Sequence, residues 1–380
     1  MRRSRTCRVM SIVAAACLAL PGLEAMAGGA RLSAEQRKAA VARYDAALRQ
    51  GAEWLLEQQD EKGTFGGPAA VGKTGLAVTA LLSTPDAAKL REHPVVEKAV
   101  AYLVSMAQPD GSINTPGEKG LANYQTSAAV TALSLYDAEK YEEVRKRAVR
   151  YLVGIQHTEG AMAGGFGYNR DKRPDLSNTQ FALEALKSGG MEEDSEAFQR
   201  CLKFLQRCQN RSESNDQPWA TNDGGAIYYP GRSNAGVIQL PNGQVIYKSY
   251  GSMTYALLRG YILCGLEPDD PRVQAAQKWI TEHYTLDANP GMENEKQGLY
   301  YYYLSMAKAL GLLDKRTLRL PEGIQVNWAK DLGDRLVSLQ RDEGYWVNEA
   351  MRWYENDKVL ATSYVMIALS ECRQALAEQP

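Results

Sequence analysis

A short pattern of threonine, alanine and leucine recurs along the chain with helical spacing. Each copy has Thr followed by Ala three and six residues later and by Leu seven residues later. The clear copies are Thr74-Ala77-Ala80-Leu81, Thr126-Ala129-Ala132-Leu133, Thr179-Ala182-Ala185-Leu186 and, with one replacement, Thr362-Val365-Ala368-Leu369, and looser copies begin at Met253 and Tyr303. These offsets fall on one side of a helix, and small alanines allow neighbouring helices to approach closely. The pattern predicts six packed helices.

A second motif lies between these copies and consists of an aromatic-apolar pair followed by glutamine. The instances are Trp54-Leu55 with Gln59, Tyr102-Leu103 with Gln108, Tyr151-Leu152 with Gln156, Phe204-Leu205 with Gln209, Leu336 with Gln340, and a degraded copy at Trp279-Ile280. Two alternating helical motifs predict six helical hairpins within one all-α domain, which we place at residues 48–376 after a lead-in at 28–47.

One interval between copies, from Thr179 to Met253, is longer than the others and must hold an insertion. Residues 210–249 are rich in Gly, Asn, Ser and Pro. Within them, two short β-branched runs flank Pro241-Asn242-Gly243. This arrangement predicts a small β-hairpin in an otherwise helical chain. Inserted loops on a rigid scaffold often carry binding residues.

The first 27 residues resemble a secretory signal peptide. Four arginines within the first eight residues precede an apolar stretch at 9–20, and Ala25 and Ala27 supply a small-residue cleavage pattern. We therefore expect cleavage near Ala27 and export to the periplasm or the medium. The apolar stretch is too short for a transmembrane helix, and no later stretch is apolar enough.

The composition excludes several classes of function. The 380 residues carry 44 Lys+Arg against 45 Asp+Glu, and this balance argues against a nucleic-acid partner. Only three His are present and no CxxC pattern occurs. The chain therefore has very few residues from which a multi-histidine metal site or a Ser/His/Asp triad could be built. No phosphate-binding P-loop pattern is found, and we expect neither a metal nor another cofactor.

The repeats resemble the QW repeats of squalene-hopene and oxidosqualene cyclases and, more distantly, those of protein prenyltransferase β subunits. The residues that carry the resemblance are Lys98-Ala99-x2-Tyr102-Leu103, Arg147-Ala148-x2-Tyr151-Leu152-x3-Gln156 and Gln340-x3-Gly344-Tyr345-Trp346. The resemblance covers nearly the whole mature chain and implies an α/α toroid, in which outer helices surround inner helices around a central cavity. We interpret the Gln and aromatic residues as structural, because helix ends must be satisfied by some partner.

The catalytic motifs of both relatives are missing. The cyclases use an Asp-x-Asp-Asp-Thr motif whose middle Asp protonates the polyene, and the nearest match here is Asp175-Leu176-Ser177-Asn178-Thr179. Ser177 stands in the position of the proton donor, and a hydroxyl is not a strong acid near neutral pH. The prenyltransferase zinc site of Asp, Cys and His has no counterpart. Squalene cyclisation by the family's route is therefore not expected.

In such a toroid, the starts of the inner helices and the loops before them converge at one end of the cavity. We select Asp175 as the candidate catalytic residue, although a helix N-cap role would equally explain it. The candidate ligand-binding residues are Tyr124, Gln125, Tyr168, Ser177, Asn178, Asp223, Tyr250, Tyr301 and Glu349.

Three interpretations of function remain open. The first is a divergent terpenoid cyclase-like protein that binds or modifies an isoprenoid or another extended apolar molecule outside the cytoplasm. The second is a non-catalytic secreted binding module. The third is a carbohydrate-active enzyme that uses two carboxylates chosen from Asp175, Asp223, Glu349 and Glu355. An apolar cavity wall favours the first and a close carboxylate pair the third. Peripheral membrane contact and the oligomeric state stay open.

Overall fold

The predicted hairpins form two concentric rings of helices. The computed structural model describes residues 32–117, 119–313 and 315–378, so the predicted signal peptide at 1–27 lies outside the described residues. The inner ring comprises α2 (Ala70–Leu82), α5 (Ala122–Asp137), α7 (Leu176–Ser188), α9 (Gly251–Leu263), α11 (Leu299–Leu312) and α13 (Lys358–Ala377). The outer ring comprises α1 (Ala34–Glu57), α4 (Pro94–Ser105), α6 (Glu142–Ile155), α8 (Glu196–Cys208), α10 (Pro271–Glu282) and α12 (Trp328–Ser338), and the short α3 (Ala87–Arg91) connects α2 to α4.

The inner ring is closed. Each inner helix packs against the next, and α13 packs against α2, so that the last inner helix meets the first. The outer helices pack against the outside of this ring. The predicted α/α toroid of six hairpins is confirmed.

Five of the six inner helices carry, near their start, a threonine that makes the same contact. It accepts a hydrogen bond from a backbone N–H in the loop before its helix, which ties loop to helix. The pairs are Phe65 N to Thr74 Oγ1, Ile113 N to Thr126 Oγ1, Phe166 N to Thr179 Oγ1, Ala226 N to Thr254 Oγ1 and Trp346 N to Thr362 Oγ1, at 2.9 to 3.2 Å. The looser fourth copy is therefore in register at Thr254 rather than at Met253.

The glutamines after the outer helices link neighbouring hairpins. Four of them donate to a carbonyl oxygen in the next outer helix of the ring: Gln59 to Val95, Gln156 to Ala197, Gln209 to Arg272 and Gln340 to Ala47, at 2.7 to 2.9 Å. Gln108 instead bonds carbonyl groups of its own loop. The contact of Gln340 joins the last outer helix to the first and completes the ring.

The insertion contains the predicted β-hairpin. Strand β1 (Val237–Gln239) pairs antiparallel with β2 (Val245–Tyr247), with Gly243 at a positive φ of 83° in the turn. A second small sheet, β3 (Leu318–Arg319) with β4 (Gln325–Val326), was not expected from the sequence. The cysteines in the described part of the chain, Cys201, Cys208, Cys264 and Cys372, are buried free thiols. None of the described helices combines the length and the apolar character needed to cross a membrane.

Candidate functional site

A cavity of about 250 Å³ lies at the N-terminal ends of the inner helices. All six inner helices contribute side chains to its wall, and the loops before them supply the rest. The first turn of a helix carries N–H groups without partners inside the helix, which favours polar caps at this end. The cavity thus lies where the toroid predicts it. The polar N-terminal ends of the inner helices surround it, and side chains line it.

Aromatic side chains dominate the wall. They are Tyr124, Tyr168, Phe181, Tyr228, Tyr250, Tyr301, Trp353, Tyr354 and Tyr364. Five of them form a continuous series of ring contacts, Tyr168–Tyr124, Tyr124–Phe181, Phe181–Tyr301 and Tyr301–Tyr364, with centroids 5.1 to 6.4 Å apart. Such a surface is mostly apolar, and the faces of its rings attract positive charge. It is suited to an apolar ligand.

Asp175 is buried behind this wall and contacts Ser177, which lines the cavity. It is the N-cap of α7, is only 2% exposed, and accepts hydrogen bonds from the backbone N–H and the side-chain amide of Asn178, both at 2.8 Å. The Ser177 hydroxyl donates to Asp175 at 2.8 Å and lies 2.6 Å from the Tyr124 hydroxyl. Burial raises the pKa of Asp175, although the bonds from Asn178 and Ser177 oppose that effect. A hydrogen-bonded chain therefore runs from a buried carboxyl group to an aromatic residue of the cavity.

A second buried carboxyl group, Glu355, lines the cavity directly. It is 1% exposed and accepts hydrogen bonds from Tyr301 N at the start of α11, at 2.8 Å, and from Asn348 Nδ2 at 2.6 Å. Burial raises the pKa of Glu355 to about 7, although the hydrogen bonds that it accepts at the start of α11 lower it. Both forms of this group are accordingly populated near neutral pH.

The segment before Glu355 is strained. Trp353 and Tyr354 both adopt left-handed backbone conformations, with φ of 61° and 63°, which non-glycine residues rarely do. The Trp353 ring lies so close to Gly298 that a Cβ there would sit 3.0 Å from it, and the Arg352 guanidinium covers the same ring at 4.4 Å. These two residues turn the chain so that Glu355 enters the wall.

A buried cation lies on another side of the cavity. Lys73, 8% exposed, pairs with Asp357 at 2.8 Å, and Asp357 also caps α13 by accepting from Leu360 N. The charge of Lys73 is thus matched within the wall. No ion pair involves Glu355 among the described residues, so this carboxyl group is held by hydrogen bonds rather than by a cation.

The structure separates the predicted site residues into two groups. Those that line the cavity are Tyr124, Gln125, Tyr168, Ser177, Tyr250 and Tyr301. Asp175 and Asn178 are buried behind the wall, because the first turn of α7 uses them as its cap. Asp223 is exposed and is held in its own loop by Gly225 N and Ser249, and Glu349 projects to solvent from the segment before Glu355.

Several wall residues were not selected from the sequence. Lys73, Phe181 and Tyr364 lie in the first two turns of inner helices, and Asp357 lies directly before α13. Each of them lies at the start of an inner helix or in the loop before it, which is the criterion that selected the other candidates. Applying this criterion to every inner helix would have found them. Trp353 and Tyr354 gave no such signal, since their place depends on the strained turn.

Two carboxyl groups line the cavity, those of Glu355 and Asp357, and Asp357 is paired with Lys73. Of the four carboxylates proposed for a carbohydrate-active enzyme, Glu355 lines the cavity, whereas Asp175 lies behind it and Asp223 and Glu349 are exposed. No cluster of three or more His, Cys, Asp or Glu residues in the described ranges could hold a metal ion.

Comparison with known proteins confirms the resemblance read from the sequence. Residues 74–229 match the family model of the squalene-hopene cyclase C-terminal domain. A drimenyl diphosphate synthase from Streptomyces showdoensis is 26% identical over 178 residues, which cover 44% of this chain and 32% of the relative. The chain thus matches about a third of the length of that curated protein.

Solved structures share the fold. A variant of the type II terpene cyclase MstE from Scytonema, in complex with its product merosterolic acid A, superposes with a TM-score of 0.58 at 14% identity and covers 89% of this chain and 99% of its own. A mutant unsaturated glucuronyl hydrolase from Streptococcus agalactiae gives a TM-score of 0.51 at 12% identity, covering 95% and 98%. Because the toroid occurs in both chemistries, function must be argued from the site.

Proposed function

We propose that this protein binds a short isoprenoid, or a similar branched apolar chain, in the aromatic cavity at the starts of its inner helices. The observation that carries the proposal is the continuous ring series from Tyr168 through Phe181 to Tyr364 in the wall of the cavity. Related chemistry supports it, since the structurally similar MstE holds a terpenoid product.

The volume of the cavity limits the ligand. An engineered protein cavity of about 150 Å³ accommodates benzene, with six carbon atoms. By that ratio, the space of about 250 Å³ holds roughly ten carbon atoms. A ten-carbon isoprenoid fits this space, and a thirty-carbon chain such as squalene exceeds it.

The proposed activity is binding rather than alkene protonation. Ser177 stands where the cyclases carry their acid, and its hydroxyl hydrogen already points to Asp175. Asp175 itself does not line the cavity, so it acts as a positioning residue, through its contact with Ser177 and the contact of Ser177 with Tyr124. The sequence expectation that squalene is not cyclised follows from both the chemistry and the size of the site.

We further propose that binding takes place outside the cytoplasm and next to a membrane. The first 27 residues have the pattern of a signal peptide. Met351, Trp353 and Tyr354 are exposed by 72%, 39% and 67% beside the cavity. Large exposed apolar side chains that adjoin a ligand cavity are suited to contact with a lipid surface, from which an apolar ligand could enter.

Native mass spectrometry of the protein purified from its own periplasm or medium tests the proposal. We expect a co-purifying molecule that organic solvent extracts and that has the mass of an isoprenoid of about ten carbons. Addition of a ten-carbon isoprenoid alcohol to stripped protein should restore the mass shift. A protein that is empty as isolated and stays empty after this addition would contradict the proposal.

A further inference from the structure

A second, smaller chamber lies directly below the aromatic cavity on the axis of the toroid. Leu76, Ala128 and Phe181 line both spaces, so the two chambers share a wall. The lower chamber has a volume of about 20 Å³. A polar space of this size holds one water molecule, or one oxygen-sized group.

Three buried polar atoms of residues that line this chamber have no hydrogen-bond partner among the described residues. They are Oε1 of Gln180, which accepts hydrogen bonds, Nε of Arg259, which donates one, and Oγ of Ser305, which can do either. The three residues are only 3%, 7% and 1% exposed. Leaving buried polar groups unpaired is costly, and such groups in native proteins commonly bind water or a ligand. The chamber therefore offers one acceptor, one donor and one serine hydroxyl to a small polar guest.

Two cations, Arg259 and Lys308, and one carboxylate, Glu184, line the chamber. Glu184 accepts from Arg259 NH1 at 3.0 Å and also from Lys308, and these two cations hold the pKa of Glu184 well below its usual range. The Nε–H group of Arg259 has no partner among the described residues. The size of the chamber limits the guest, because the space is too small for a carboxylate or phosphate.

Gln180 connects the chambers. Its amide nitrogen donates to the Tyr301 hydroxyl in the wall of the upper cavity, and its oxygen serves the lower chamber. Phe181, the next residue, covers the boundary from the same helix. An apolar ligand in the upper cavity would place its inner end against this boundary.

We propose that the lower chamber is an oxygen-binding subsite that selects apolar ligands with a hydroxyl group at their inner end. The hydroxyl oxygen accepts from Arg259 Nε–H, and the hydroxyl hydrogen is donated to Gln180 Oε1. A hydroxyl satisfies both atoms, a ketone only Arg259, and a hydrocarbon neither. This inference rests on the proposed function, because it requires an apolar body in the upper cavity.

The test compares tetrahydrogeraniol, a saturated ten-carbon isoprenoid alcohol, with the parent hydrocarbon dimethyloctane. Binding is followed by tryptophan fluorescence, since Trp353 lies in the cavity wall. The alcohol should bind at least about tenfold more tightly, because one of its two hydrogen bonds comes from the charged guanidinium of Arg259. Gln180→Met should remove this preference.

Two serine variants supply a second route and a control. Ser305→Ala removes a hydroxyl from the lower chamber and should reduce the preference even if Gln180→Met does not fold. Ser370→Ala removes an equally buried hydroxyl that lines neither chamber and should leave the preference intact. Equal affinities for the two probes, or a preference that survives both chamber variants, would overturn the subsite while leaving the proposed function standing. Binding of neither probe would instead refute the proposed function.

Discussion

The Ser177 hydroxyl donates a hydrogen bond to Oδ1 of Asp175 across 2.8 Å, so the residue in the proton-donor position is itself held by the preceding acid of the motif. Asp175 also caps α7. One carboxyl group thus fixes a helix start and the orientation of a cavity side chain, and it does so without contacting the cavity.

Asp175→Ala should lower the free energy of unfolding by about 2–4 kcal/mol, which combines a lost N-cap with unpaired partners at Ser177 and Asn178. Chemical denaturation measures this change. Isoprenoid affinity should also fall, because Ser177 and Tyr124 lose their fixed geometry. Asp270→Ala removes the N-cap of the outer helix α10 and should cost stability without changing that affinity. Equal affinity in the two variants would refute the positioning role.

Glu355 should make stability depend on pH. Its pKa in the folded protein, about 7, lies above the ordinary value of 4.5, so the folded state binds the proton more tightly than the unfolded state does. The free energy of unfolding contributed by Glu355 is therefore fully present below pH 4.5 and is lost as the pH rises towards 7, by roughly 3 kcal/mol in total.

Glu355→Gln should remove this loss, as measured by urea denaturation at pH 5 and pH 8. Glu349→Gln, at an exposed position six residues earlier in the same loop, should leave it unchanged. If the two variants show the same pH dependence, Glu355 does not carry a raised pKa in the folded protein.

The repeats explain why so much of the fold could be predicted. The Thr and Gln positions recur because most hairpins make the same two contacts, such as that of Thr74 with the loop before α2 and that of Gln59 with the next outer helix. Repeated contacts leave repeated residues, and the helix count follows from them. The β-hairpin of the insertion could be predicted because Asn242-Gly243 is a sequence typical of a hairpin turn.

The site was only partly predictable, because its non-repeated residues depend on local geometry. Glu355 enters the wall after two left-handed residues, Trp353 and Tyr354, that no pattern in the sequence predicts. Asp175 was selected for its place in the motif, yet the first turn of α7 directs it behind Ser177. Asp223 was selected from a glycine-rich loop, and the loop holds it at the surface.

Gly164 should be irreplaceable for reasons of packing. It has φ of 92°, and a Cβ there would lie 1.9 Å from the carbonyl oxygen of Arg200 in the next outer helix. Gly164→Ala should cost at least about 3 kcal/mol of unfolding free energy. Gly160 also has a positive φ, of 68°, but open space around it, so Gly160→Ala should cost only about 1 kcal/mol. Similar losses in thermal denaturation would contradict the close approach of α8.

Gln340 should stabilise the closure of the outer ring. Its amide donates to the carbonyl oxygens of Ala47 and Gly344, both at 2.9 Å, and Gln340→Met leaves both without this donor. We expect a loss of about 1–3 kcal/mol in the free energy of unfolding, measured with urea. The exposed Gln50→Met in α1 is the matched control and should change stability by less than about 0.5 kcal/mol. Equal effects would argue against a role for Gln340 in closure.

Binding of tetrahydrogeraniol to the purified protein and to Leu360→Trp tests the central claim most directly. Leu360 lines the aromatic cavity, and a tryptophan there would fill a large part of its volume, whereas Leu135→Trp adds the same ring at a position that is 41% exposed on the outside. We predict saturable binding by the unmodified protein and by Leu135→Trp, loss of binding by Leu360→Trp, and no binding of squalene by any of them. Undiminished binding by Leu360→Trp, in a variant that still folds, would show that the ligand site lies elsewhere.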